Sequence, residues 1–430
     1  MLTEKKSNVR WVVASLMWAA IAINYIDRTV LAAAAPFITK EFSVTPSEMG
    51  IIMSGFFWSY ALLQIPAGMV ADKIGQKKTL GFAVAWWSIA TALTGLGTGF
   101  KSILGFRVAL GVGEAAAYPS NAGISSKWFP DKERATVGGL FDSGSKFGGA
   151  VAMPLIVWLI SLFGWKMTFV IIGLAGVVWS IVWIMYFKEI PEEHKGVNAA
   201  ELKHIRDGQS QKDGLDKEQP MKWYELLKYR NIWAMCIGFF MINYTSYFFI
   251  TWLPTYLVKE KGMGMLAMGF AAMLPLLVSM FVEVGAGWAS DKVQSKGWLS
   301  LTATRKVFLV GGLLMASSIG LAAFAESAVT AVALLCVAKS GTTIAASQVW
   351  ALPGDVAPKN MTSVVAGLQN SVSNMGGVVG PIVTGIILQT TGSFNMALLL
   401  SSGLLLVGML NYLFLLGKVE HIEVATKKAA

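Results

Sequence analysis

The chain has 430 residues, of which 55% are hydrophobic and only 14% charged. An ordinary soluble domain carries about 25% charged residues. A mean hydropathy of +0.58 leaves too little polar cover for a soluble enzyme and too much apolar surface for disorder. The net charge of +10 raises nucleic acid as a partner until the charges are located.

A membrane-spanning helix needs about 20 mostly apolar residues. Such runs lie near 10–37, 48–71, 79–100, 102–124, 134–161 and 166–187. A polar stretch follows at 188–229, then runs near 230–258, 265–290, 304–325, 328–352, 361–389 and 394–417. The expected fold is all-α, with twelve transmembrane helices in two pseudo-symmetric six-helix bundles. The bundles are 1–187 and 230–430, with a cytoplasmic linker at 188–229 between them.

With both termini in the cytoplasm, 26 of the 35 basic residues fall on the inner side and five on the outer. The other four, Arg28, Arg107, Lys146 and Lys339, lie inside spans. This is the positive-inside pattern, so most of the basic excess is an orientation signal. The central loop is itself near neutral, which argues against a nucleic-acid patch. The first apolar run is too long for a cleavable signal peptide and is interrupted by Asp27-Arg28.

Cys236 and Cys336 sit in apolar runs and offer neither zinc spacing nor a disulfide framework. His194, His204 and His421 all lie in polar segments, against a buried metal site or a catalytic triad. No cofactor, metal or nucleotide motif stands out. Gly111-Val112-Gly113 lies inside a span and reads as helix packing.

One motif recurs. Gly68-Met-Val-Ala-Asp72-Lys73 closes span 2, and Gly287-Trp-Ala-Ser-Asp291-Lys292 closes span 8. Both read G-x-x-x-D-K at the cytoplasmic end of the second helix of their half. A parallel duplication of a six-helix unit explains this. The glycine permits close helix approach, and the acid can accept bonds from a helix N-terminus.

These features resemble the major facilitator superfamily. Further strings narrow the resemblance to its anion:cation symporter family: Asn24-Tyr25-Ile26-Asp27-Arg28; Gln64-Ile65-Pro66-Ala67-Gly68; Arg107 with Gly113-Glu114-Ala115 and Tyr118-Pro119; Trp128-Phe129-Pro130 with Glu133-Arg134; and Phe248-Phe249 with Thr251-Trp252, Pro254 and Tyr256-Leu257. The resemblance covers essentially the whole chain. It implies a proton-coupled carrier of sugar acids or other organic anions. It also implies a multi-pass protein of a bacterial inner membrane, monomeric and not an enzyme, whose partners are the anion, protons and the lipid bilayer.

An ionisable residue within a span costs roughly 2.5–3.5 kcal/mol on insertion scales, so such residues are functional candidates. Asp27 and Arg28 lie near the middle of span 1. Arg107 and Glu114 lie seven residues apart on one face of span 4. Two acids and two bases nearly cancel, so a set of structural ion pairs is one reading. The other is proton coupling with anion capture. A carboxylate buried near a cation changes its protonation as its neighbours rearrange, and an arginine matches a substrate carboxylate. The resemblance implies that Asp27 and Glu114 couple protons, that Arg28 faces substrate and that Arg107 balances the acids.

Neutral polar residues are candidates for the hydroxyl-rich part of a substrate: Tyr25, Tyr60 and Gln64 in the first half, and Ser347, Trp350, Asn370 and Asn374 in the second. Each aromatic could equally be packing, and the paired amides could be interhelical glue. Span 5 departs from the sugar-acid pattern with Asp142 and Lys146, four residues apart. They form either a self-neutralising helix pair or a site where Lys146 meets a second substrate charge. Lys339 and Glu283 are further unusual charges in spans 10 and 8.

The expected activity is proton-coupled import of a small organic anion, a hexonate or hexarate sugar acid, by rocker-switch alternating access. The alternatives are another anion (tartrate, a dicarboxylate, an aromatic acid), an exporter, or a membrane receptor that does not transport.

Overall fold

The computed structural model describes residues 6–209, 223–358 and 361–422. At Ile65, Asp131, Lys132, Arg134, Ala135, Thr136, Trp223, Asp291 and Ser363 it describes the backbone alone. Every regular element among the described residues is helical. In chain order they are α1 (Val9–Phe42), α2 (Pro46–Ile74), α3 (Gln76–Thr94), α4 (Phe100–Glu114), α5 (Ala117–Trp128), α6 (Asp131–Tyr186), α7 (Ala199–Asp207), α8 (Arg230–Thr251), α9 (Leu253–Lys259), α10 (Met265–Ser295), α11 (Leu301–Ala316), α12 (Ala328–Val349), α13 (Leu352–Val356), α14 (Thr362–Thr391) and α15 (Asn395–Leu410).

Eight of these stretches are individually long and apolar enough to cross a membrane, and α2, bent by 53° at Gln64–Pro66, makes a ninth. Proline there removes a backbone donor and opens the helix. The long α6 holds two spans: Gly164, at φ 75° and ψ 164°, turns the chain between limbs 131–163 and 165–186. The remaining two spans are less apolar. One is α3, which opens on Gln76, Lys77 and Lys78; the other is α4 with α5, which carries Arg107 and Glu114. Together these make twelve.

The chain divides into two compact units, Met1–Asp216 and Lys217–Ala430. In the first, span 1 packs on span 5 through two glycines one turn apart. A Cβ on Gly144 would meet the Trp18 carbonyl oxygen at 2.5 Å, and one on Gly148 would meet the Ala22 carbonyl oxygen at 2.6 Å. Backbone thus lies on backbone, which is how membrane helices gain dispersion contact without a hydrophobic driving force. Spans 2 and 4 meet at Gly111, and spans 3 and 6 at Gly173 and Gly176.

The second unit repeats this scheme. Spans 7 and 11 meet where Gly376 lies on the Tyr244 backbone, and spans 9 and 10 interlock through Gly312 and Gly341. Spans 8 and 10 also pack together, as do 9 and 12. The same helix partners therefore recur in each unit.

The polar stretch after span 6 holds a short turn at Pro191–Glu193 and the helix α7. Asn198 caps α7 by accepting the Glu201 N–H at 2.9 Å. Glu201, fully buried, in turn caps α1: it accepts the Val9 and Arg10 N–H groups, each at 3.2 Å, and Arg10 Nη1 at 2.9 Å. Glu133 adds a second carboxylate to Arg10 at 3.0 Å and contacts His204 Nε2 at 2.8 Å. This ties α7 to the N-terminal ends of spans 1 and 5.

Candidate functional site

In the first unit, α1, α2 and α4 bring the candidate charges together. Asp27 and Glu114 are fully buried, Arg107 is 4% exposed and Arg28 9%. Arg28 Nε donates to Glu114 Oε2 at 2.6 Å. Its guanidinium carbon lies 4.9 Å from the Tyr25 ring, 4.6 Å from Phe56 and 4.5 Å from Tyr60. Phe56 and Tyr60 stack with centroids 5.1 Å apart. They sit four residues apart on α2, so one face of that helix supplies both rings. Three ring faces hold the cation where water is scarce.

Arg107 pairs with no acid side chain within hydrogen-bond distance among the described residues. Its Nη1 donates to the Asp27 carbonyl oxygen at 3.3 Å, and its carbon lies 5.5 Å from the Phe56 ring. Several buried atoms of the cluster have no hydrogen-bond partner among the described residues: both Asp27 carboxyl oxygens, Glu114 Oε1, Arg28 Nη2 and both amide atoms of Asn24. Buried polar groups are nearly always paired, and the exceptions among the described residues concentrate in this cluster.

The remaining first-unit candidates are placed around this cluster. Gln64 is half-buried one turn beyond Tyr60, at the bend of α2. Lys146 pairs with Asp142 at 3.7 Å, the i, i+4 pair readable from sequence. Asp142 also accepts the Tyr118 hydroxyl at 3.1 Å.

In the second unit, Asn374 is 4% exposed and bonded at both amide atoms: Tyr247 donates to its Oδ1 at 2.7 Å, and its Nδ2 donates to the Asn370 carbonyl at 3.0 Å. The Asn370 side chain is half-buried. Ser347 donates to the Ile344 carbonyl at 2.8 Å. Trp350, 54% exposed, sits edge-on to Phe239 with centroids 5.4 Å apart. Lys339 approaches Ser246 at 3.5 Å, and Glu283 is half-buried.

The repeated G-x-x-x-D-K motif is placed more plainly. Asp72, Lys73 and Lys292 are exposed, and the Asp291 side chain lies outside the described residues. A Cβ on Gly68 would make only ordinary contact with Pro119, and one on Gly287 would meet nothing within 4 Å. The acid on the N-terminus of α3 is Glu189. It accepts the Gln76 and Lys77 N–H groups at 3.0 and 2.9 Å and pairs with Lys127 at 2.5 Å. Burial pushes the Glu189 carboxyl up, but Lys127 and the two backbone donors outweigh it and hold it below the ordinary value.

Sequence reasoning did not select Phe56, Tyr247, Glu189 or Glu201. Phe56 carried a signal, the i, i+4 spacing to Tyr60. The other three depend on contacts between distant segments, for which no local pattern exists.

The profile of the Major Facilitator Superfamily matches residues 17–381. The chain belongs to that superfamily. It is 34% identical over 425 residues to the D-galactonate transporter of Escherichia coli O6:H1, covering 97% of this chain and 98% of that one. A probable galactarate/D-glucarate transporter of Bacillus subtilis is 33% identical over 97% of this chain and 94% of its own length. The hexuronate transporter of Bacillus subtilis is 32% identical over 90% of both. Among solved structures, a bacterial homolog of the human lysosomal transporter Spinster, inward-facing and unoccupied, superposes with a TM-score of 0.79. It is 20% identical and covers 96% of this chain and 98% of its own, a likeness of fold. The protein is a multi-pass membrane transporter of the twelve-helix facilitator fold, not an enzyme.

Proposed function

We propose that the protein imports a small sugar-acid anion, a hexonate or hexarate, together with protons. The observation that carries this reading is Arg28. Its guanidinium is held by three rings and one carboxylate, with the buried Nη2 still unpartnered among the described residues. A substrate carboxylate matches that vacant donor. The names of the relatives support the same substrate class.

Coupling follows from competition. With no substrate, Arg28 holds Glu114 as the carboxylate. A substrate carboxylate on Arg28 competes for the guanidinium, and a buried carboxylate losing its cation favours a proton. The linkage is reciprocal: a proton on Glu114 frees Arg28 and tightens anion binding. Asp27 is the second proton carrier, and Arg107 offsets its charge from the neighbouring helix. Tyr25, Tyr60 and Gln64, and Ser347, Trp350 and Asn370 in the other unit, meet the substrate's hydroxyl groups. Alternating access proceeds by rocking of the two halves, in a bacterial inner membrane, with both termini in the cytoplasm and the monomer as the working unit.

The test is uptake into proteoliposomes from a panel of hexonates, hexarates, hexuronates and dicarboxylates, with and without an inward proton gradient. A sugar acid is expected to accumulate only with the gradient. Glu114→Gln is expected to abolish accumulation and retain substrate exchange. Uptake indifferent to the gradient, or no transported anion in the panel, overturns the reading.

A further inference from the structure

We propose that Lys339, midway along span 10, takes a second carboxylate of the substrate and so selects a hexarate, which carries two, over a hexonate, which carries one. This rests on the reading of the protein as a sugar-acid carrier in which Arg28 takes the first carboxylate.

The internal repeat locates the residue. Gly144 and Gly148 of span 5 lie against the Ala22 nitrogen and carbonyl oxygen, and Gly376 and Gly380 of span 11 lie against those of Tyr244. Ala22 and Tyr244 are therefore counterparts in spans 1 and 7. Two and five residues further on stand Asn24 and Asp27 in span 1, and Ser246 and Phe249 in span 7. Lys339 lies against that second pair. Its Nζ is 3.5 Å from Ser246 Oγ and 5.6 Å from the centre of the Phe249 ring. The second unit thus sets a cation against the positions that hold Asn24 and Asp27 in the first.

The chemistry at those positions differs in one respect. Asp27 brings a carboxylate to the first-unit cluster, whereas a serine hydroxyl and a phenyl ring bring no negative charge. They orient an ammonium without neutralising it. A charged side chain within a span is expensive and marks a substrate path by default. A carboxylate arriving with the cargo supplies the missing charge.

Lys339 also continues a face already assigned to substrate. Trp350 meets Phe239, and Lys339 meets Ser246. Eleven residues along α12 and seven along α8 are close to three and two whole turns, so both contacts lie on one seam. Lys146, the other in-span lysine, has an acid one turn away on its own helix and pairs with Asp142 at 3.7 Å. The rival partner for Lys339 is Glu283, half-buried on α10, which packs on α12.

The experiment is uptake of galactonate and galactarate by the full-length protein in proteoliposomes. The two anions share a skeleton and differ at one end, hydroxymethyl against carboxylate. The parent is expected to favour galactarate in kcat/KM by about tenfold or more, the range of one charged hydrogen bond. Lys339→Met keeps the stem and removes the charge. It is expected to lose about tenfold more efficiency with galactarate than with galactonate, mainly in KM. Lys339→Gln, a second neutral replacement, is expected to do the same, and Lys339→Arg to retain the preference. A parent that prefers galactonate, or neutral variants that lower both anions alike, overturns the proposal. So does a Lys339→Met/Glu283→Gln double variant that regains the melting temperature and galactarate uptake lost in the single ones, since that makes the lysine half of a structural pair. A parent that moves neither anion overturns the underlying reading instead, so the two failures are told apart.

Discussion

Glu201 of α7 and Arg10 of α1 are 191 residues apart in the chain, and their side chains meet at 2.9 Å. Glu201 is fully buried and also holds the first N–H groups of span 1 and the Ser7 hydroxyl. Removing one partner of a buried pair costs about 3–5 kcal/mol. Glu133 retains part of Arg10's bonding, so Glu201→Ala is expected to destabilise the first unit by about 3 kcal/mol. Thermal unfolding in detergent reads this, and Glu201→Gln, which keeps an acceptor, is expected to fall between.

Arg28→Lys retains a charge but loses the planar fork that serves Glu114 and an incoming carboxylate together. Transport efficiency is expected to fall about 10–100-fold, the equivalent of a charged hydrogen bond of about 1.5–3 kcal/mol. Initial uptake rates in proteoliposomes measure it. An unchanged melting temperature shows that the loss is functional rather than structural.

Glu189 is held below the ordinary carboxylate value of 4.5. The folded unit therefore binds fewer protons there than the unfolded chain does. The stabilisation is complete above that pH and is lost as the pH falls through the folded value. Glu189→Gln is expected to flatten this part of the acid limb. The measurement is the difference in melting temperature between parent and variant from about pH 3 to 6.

Gly148→Ala forces a methyl into the Ala22 carbonyl, at 2.6 Å. Overpacking of this kind costs about 1–3 kcal/mol, and spans 1 and 5 are expected to separate enough to disturb Arg28. Gly139→Ala in the same long helix meets nothing within 4 Å and is expected to be silent. Uptake and melting temperature of the two variants side by side decide it.

Asn370 and Asn374, alike in sequence, are expected to part company. Asn374 is bonded to Tyr247 across helices, and Asn374→Ala is expected to lower the melting temperature, since an orphaned buried partner costs about 1–3 kcal/mol. Asn370→Ala is expected to spare stability and weaken substrate affinity in a binding titration.

How much of this was readable beforehand follows from the range of the forces involved. The spans are legible because each one alone must satisfy the lipid. The in-span charges are legible because each one alone is expensive there. The Asp142–Lys146 pair is legible because one helical turn makes it. The choice of Arg28 rather than Arg107 as partner of Glu114 is not, since it is settled by how α1, α2 and α4 pack. Glu189 on the start of α3 and Glu201 on the start of α1 were invisible for the same reason. A charged residue in a polar loop carries no mark of the helix end it will meet. The doubled Gly68/Asp72 and Gly287/Asp291 string pointed correctly to duplication and said less about contacts.

With both carboxylates ionised, the charges of Asp27, Arg28, Arg107 and Glu114 sum to zero. On the proposed mechanism, an unloaded carrier in that state moves no net charge from this cluster when it reorients, and membrane voltage exerts no pull on the cluster during the return. Voltage acts on the loaded step alone, at about 2.3 kcal/mol per elementary charge for each 100 mV. It does so wherever the protons carried and the negative charges of the anion differ in number, and its sign follows that difference. The same cancellation that makes the cluster tolerable in lipid thus makes the direction of the electrical driving force depend on the cargo.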